Sequence, residues 1–147
     1  MAYELIPLKL KDGTESKVVY FLCDDGLNPL TEFAKKCRDK QTVMKMAKAI
    51  EAVHSIGIDR SRHSKRLKKL EGGSNDDMYE IVTNKCTARA YSFLIDGDLA
   101  IVIALLIPRT HSGKGKKDVN AGINKMQSKR PYLEEALKRR NDHGAEI

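Results

Sequence analysis

The stretch ARAYSFLIDGDLAIVIALLI, residues 88–107, decides the fold class. Over 88–95 the side chains alternate, with Ala90, Ser92 and Leu94 on one side and Arg89, Tyr91, Phe93 and Ile95 on the other. A period of two belongs to a strand. Asp96-Gly97 supplies a turn. Residues 99–107 are apolar without a break, which reads as a central strand buried on both faces. Pro108 has no amide donor and stops it. Just upstream, 78–83 is a shorter strand segment carrying Tyr79 and Ile81, and the three segments predict an antiparallel meander.

Working outward toward the N-terminus, residues 72–77 (GGSNDD) mark a loop. Residues 59–70 are strongly basic: Arg60, Arg62, Lys65, Arg66, Lys68 and Lys69 follow Asp59 with no further acid, and His63 lies among them. Residues 41–56 form the clearest helix, since Val43, Met44, Ala47, Ile50, Val53 and His54 recur at three- and four-residue steps. Gly57 is placed as the left-handed residue that ends it. Met44 and Met46 read as core filling and His54 as a packed histidine. Asn28-Pro29 opens an earlier helix over 30–39, because Asn suits the cap and Pro the first helical position. Residues 3–10 and 17–23, joined through Lys11-Asp12-Gly13, read as a β-hairpin. Beyond Pro108, residues 109–117 read as a basic, mobile loop. Two helical segments follow, at about 118–127 and 131–140, the second with Glu134–Lys138 and Glu135–Arg139 as favourable pairs. The expected fold is α+β in one domain over 1–147: a small antiparallel sheet, made of the N-terminal hairpin and the three-stranded meander, packed by two N-terminal helices and by C-terminal helices.

Composition narrows the partners. The chain carries 27 Lys+Arg against 20 Asp+Glu, a formal charge of +7, which favours polyanions: nucleic acid, an acidic protein or an anionic membrane surface. The first residues alternate charged and apolar side chains, so no signal peptide is expected. The apolar run 99–107 is far short of a bilayer span, so no membrane partner is expected either. Cys23, Cys37 and Cys86 form no CxxC pair and read as reduced, structural thiols, consistent with a cytoplasmic location. The histidines, at 54, 63, 111 and 143, are too scattered for a ligand set, so no metal site and no cofactor are expected.

Two basic segments flank the meander, and in an antiparallel sheet their ends can lie close together. Either alone reads as a solvated, lysine-rich surface. Both together, on a chain of this charge, point to a phosphate backbone, which releases condensed counterions when neutralised. RNA can be cut by its own 2′-hydroxyl. That reaction asks the protein for a proton acceptor, a proton donor and cations facing the pentavalent phosphorus. His63, His111, Tyr79, Tyr91, Arg89, Arg109 and nearby lysines include those types. Arginine suits the last role because its guanidinium holds phosphate oxygens two at a time. There is no HxxxH set, glycine-rich phosphate loop or GxSxG.

The order of these pieces resembles the RelE/ParE superfamily, nearest its HigB-like, phage-derived branch of type II toxin–antitoxin systems. Asn28-Pro29-Leu30-Thr31-Glu32-Phe33 resembles the family's P-x-x-E-F opening of the first helix, and Lys68-Lys69-Leu70 its K-x-L before the central hairpin. Met78-Tyr79-Glu80-Ile81 resembles L-Y-E-L-R, and Ala88-Arg89-Ala90-Tyr91-Ser92-Phe93 resembles Y-R-V-x-F. The apolar strand and the basic stretch from Arg109 stand where the family has I-V-L-L-x-x-F-x-K-K. The likeness covers roughly residues 17–127, with the family's last helix at 119–127. It implies a ribosome-dependent endoribonuclease that cuts mRNA without a metal and is neutralised by an antitoxin, often a helix-turn-helix protein. Carried over, the catalytic residues are Arg89, Arg109, His111 and Lys68, and the RNA-binding residues are Lys65, Arg66, Lys69, Lys114, Lys116 and Lys117. The chain departs from the pattern in three places. Val82 or Thr83 stands where an arginine is expected, Ala88 replaces an aromatic, and Ile107 or Pro108 replaces another. The departures keep two alternatives in view: a non-catalytic module of the same fold that binds nucleic acid or protein, and a ParE-like gyrase inhibitor.

Overall fold

A computed structural model describes residues 3–70, 77–83, 88–107 and 115–145, with side chains of the last segment described over 122–140. The order is β1 (Tyr3–Lys9), β2 (Glu15–Asp24), α1 (Pro29–Lys36), α2 (Lys40–Ile56), α3 (Ile58–His63), β3 (Leu67–Lys69), β4 (Met78–Val82), β5 (Arg89–Ile95), β6 (Ala100–Ile107) and α4 (Gly115–Ala145). One six-stranded sheet runs β1-β2-β6-β5-β4-β3. The architecture is α+β, as the hydrophobic pattern predicts, but the sheet is mixed and not antiparallel throughout. β2 lies parallel to β6, with Val19 opposite Ile101 and Phe21 opposite Ile103. Parallel neighbours need a long crossover, and α1 to α3 supply it across one face.

β6 sits inside the sheet with apolar side chains toward both faces. Ile101 and Ile103 join the cluster under α1–α3, with Phe33, Met46, Ile50 and Val53. Ala100 and Val102 join the opposite cluster under α4, with Ile123, Met126, Leu133 and Ala136. The register with β5 slips by one: Ser92 faces Ile103 and Tyr91 faces Leu105, so Ala104 is an unmatched bulge residue. The slip lets Leu106 return to the α1–α3 side.

Local chemistry explains the helix starts. Asn28 Oδ1 accepts from Leu30 N at 2.8 Å, and Pro29 begins α1. Asp39 Oδ1 accepts from Gln41 N at 3.0 Å and starts α2. The first helix stops at Lys36, short of the expected 39, because Cys37 turns extended. Gly57 (φ 92, ψ 164) ends α2 in a conformation nearly reserved for glycine. Met44 is 58% exposed, against expectation; Met46 fills the core instead. The packed-histidine reading of His54 finds a partner in the first hairpin. Ser16 Oγ accepts from Val18 N and Val19 N, each at 3.0 Å, where the β1–β2 register slips. Its own proton is left for His54 Nδ1, 2.6 Å away.

Two further elements differ from expectation. The basic stretch 59–70 contains a short helix and an edge strand, α3 and β3. The C-terminal part is one helix that passes through Pro131, not two. A proline forfeits one helical hydrogen bond, and here tertiary contacts hold both sides of it. Arg130 donates to both oxygens of Asp77 at 2.9 Å each and lies 4.9 Å from the Phe93 ring. Ile123 and Met126 before the proline, and Leu133 and Ala136 after it, pack on the same sheet face. Lys116 and Lys117 therefore belong to the first turn of α4, not to a loop.

Candidate nucleic-acid interface

The site is built at the β3 edge. β3 pairs with β4 so that Lys68 faces Glu80, while Glu80 faces Tyr91 on the next strand. Arg89 stands two residues before Tyr91 on the same face, the diagonal position that long side chains bridge. Its Nη1 lies 3.2 Å from Glu80 Oε1. Lys68 and Arg89, both singled out in the sequence, thus converge on a carboxylate that sequence reasoning passed over. Glu80 is only 15% exposed and Arg89 33%. Burial pushes the Glu80 carboxyl above its ordinary value, and the charges of Arg89 and Lys68 pull against that rise.

The turn before β3 has an unusual backbone. Arg66 N donates to Ser61 O at 2.9 Å and Lys65 N to Arg62 O at 3.2 Å, the hydrogen bonds of a Schellman motif. The left-handed position of that motif, usually glycine, is Lys65 at φ 62. Lys65 joins two depressions. One, of about 350 Å³, is lined by Lys45, Lys48, Lys65 and Arg66 together with Val82 and Thr83. The other, broader and about 480 Å³, is lined by Arg62, Lys65, Lys68 and Lys69 over Leu67 and Tyr79. Among the described residues no carboxylate lines either. Lys45 and Lys48 were missed in the sequence. Their three-residue spacing on the polar side of α2 is visible there, but their approach to Arg66 is not.

Several candidates of suitable type have other surroundings. Tyr91 is fully buried beneath α4 and is not open to a substrate, while Tyr79 is largely buried, with the Arg62 guanidinium 5.2 Å from its ring centroid, and meets only the floor of the broader depression. His63 Nδ1 is 2.9 Å from the Asp59 carbonyl on the exposed surface of α3. Arg109, His111 and Lys114 lie outside the described residues, as do the side chains of Lys116 and Lys117. Burial pushes the Cys23 thiol up to about 11, which keeps it protonated and unreactive. Among the described residues no group of three His, Cys, Asp or Glu side chains is arranged to hold a metal ion. No helix among them is long and apolar enough to cross a membrane. Comparison with protein-family models, with curated protein sequences and with solved structures gives no match.

Proposed function

We propose that this chain is a ribosome-dependent endoribonuclease of the RelE/HigB type, the toxin of a toxin–antitoxin pair, acting on mRNA in the cytoplasm. The observation that carries the reading is the cluster of Lys68, Glu80 and Arg89 on a cationic edge whose two depressions are lined by no acid among the described residues. In this reading a phosphodiester enters beside Arg89. Glu80 in its ionised form takes the proton from the 2′-hydroxyl. The 2′ oxygen bonds to phosphorus and the bond to the 5′ oxygen breaks, leaving a 2′,3′-cyclic phosphate and a 5′-hydroxyl. Lys68 or His111 returns a proton to the departing oxygen, and Arg89 with Arg109 stabilises the charge on phosphorus. Lys65, Arg66, Lys69 and the lysines at 114, 116 and 117 hold the backbone.

A second reading has its own support. Arg89 already has a partner in Glu80, and Val82 or Thr83 stands where the family pattern has arginine. Both suit a module that binds RNA or an acidic protein without cutting. Inducible expression in a bacterial host, with mapping of mRNA 5′ ends, separates the two. Growth arrest with new ends inside translated frames supports the nuclease. Normal growth and intact message from soluble, folded protein favours the binding module.

A further inference from the structure

Glu80, Lys68 and Arg89 lie on the sheet face that α4 covers, because Glu80 pairs with Tyr91 of that cluster. The smaller cationic depression lies elsewhere, between α2 and the end of β4. Four cationic side chains from two separate elements meet there: Lys45 and Lys48 from α2, Lys65 and Arg66 from the turn after α3. Thr83 also lines it. This residue is only 7% exposed, and its hydroxyl finds no hydrogen-bond partner among the described residues. A buried hydroxyl without a partner costs stability, and four cations brought together repel one another. An anion with acceptor oxygens would relieve both. Val82 and the methylene stems of the lysines give the same pocket an apolar wall.

We infer that this pocket binds the phosphate group of a nucleotide, with Thr83 Oγ1 donating to one oxygen and Lys45, Lys48, Lys65 and Arg66 surrounding the others. Lys65 lines both depressions, and Lys68 connects the second of them to Glu80. An RNA strand seated at Glu80 therefore has a continuous cationic path around the β3 edge to the Thr83 pocket. The RNA source of that phosphate rests on the function proposed above, while the pocket itself does not. A free nucleotide offers the same group.

Fluorescence anisotropy of the full chain tests the assignment. The probes are a labelled ten-nucleotide RNA carrying 2′-O-methyl riboses, which block cleavage, and ADP as competitor. The double variant Lys45→Ala, Lys48→Ala should bind the RNA about tenfold more weakly, with the slope of log affinity against log salt shallower by about 0.7, as for one lost phosphate contact on a single strand. Thr83→Val keeps the shape and removes the hydroxyl. It should bind about fivefold more weakly with an unchanged salt slope, and should melt at a higher temperature than the parent. RNA binding that responds to these substitutions, with no competition by ADP, assigns the phosphate to a strand. Competition by ADP that responds to them equally assigns it to a free nucleotide. A Thr83→Val protein that is stabilised yet binds both probes unchanged, together with an unaltered salt slope in the lysine variant, overturns the pocket. Cleavage is scored separately. Its absence in the parent chain sinks the nuclease reading and leaves the pocket standing.

Discussion

The two ends of this molecule use arginine and lysine in opposite ways. Along α4 two arginines are matched to aspartates: Arg130 grips both oxygens of Asp77, and Arg140 donates to Asp96 at 2.6 and 3.2 Å while lying 5.7 Å from the Tyr20 ring. At the β3 edge, Lys45, Lys48, Lys65 and Arg66 meet with no carboxylate among the described residues lining their pocket, beside a backbone held left-handed at Lys65 and a buried hydroxyl without a partner among those residues. The first arrangement orients a helix. The second is arranged at some cost to the folded chain, as sites that await a ligand commonly are. The same residue types are paired with aspartates in one region and gathered side by side in the other.

The largest expected effect lies at the boundary between these regimes, where Glu80 lies between the edge cations Lys68 and Arg89. Glu80→Gln should lower RNA cleavage by about 100-fold or more, the scale of a lost general base, with binding of the uncleavable RNA retained. Because burial holds the folded carboxyl above its ordinary value, the ionised base appears only at higher pH than for an exposed glutamate. Cleavage should therefore fall on acidification earlier than an ordinary carboxylate predicts, and the variant should lose that limb of the profile. Stability moves the opposite way with pH. The folded state holds this proton more tightly than the unfolded chain, so the contribution is present below the ordinary carboxylate value and is lost as pH rises through the folded one. Equal rates in parent and variant at every pH would remove Glu80 from the chemistry.

The clamp side should respond in stability and not in RNA binding. Arg130→Ala should cost about 2 kcal/mol in denaturant unfolding, since it leaves the half-buried Asp77 without its guanidinium. A change within a few tenths of that unit would mean that helix packing alone carries α4 past Pro131. Gly122→Ala should cost about 1–2 kcal/mol, because the added carbon would collide with the Tyr91 ring at Cε2 and the overpacking exceeds the gain in helix propensity. The smallest effect sharpens the contrast most. Lys65→Gly should raise stability by about 1 kcal/mol, by relieving a left-handed lysine, while weakening RNA binding. Weaker stability in that variant would show that the turn is not strained.

How much was legible follows from the range of each interaction. The hairpin of β1 and β2, the cap Asn28, and the strand pair around Asp96-Gly97 depend on residues close in sequence, and their signals are local. The parallel contact of β2 with β6 joins residues some eighty positions apart, and no local pattern encodes it. The short β3 hides in a lysine-rich run because edge strands tolerate charge. Pro131 signals a break, and only the distant Asp77 and Phe93 explain why α4 continues. At the candidate site, the lysines of 65–69 stood out as a charge run. Glu80 did not, since a single glutamate in a short strand gives no sign of being buried between two cations.

The sequence by itself determined the first hairpin, the meander strands and the starts of the first two helices, and that one stretch before the meander would be densely positive, because periodicity, capping and charge act over a few residues. Only the tertiary structure decided that β2 would enter beside β6, that two lysines of α2 would complete a pocket with Arg66 and Thr83, and that Glu80 would lie against Lys68 and Arg89. Those relations depend on how separate elements pack across a shared sheet, where burial and distance set the charge state of a carboxyl and the surroundings of a hydroxyl.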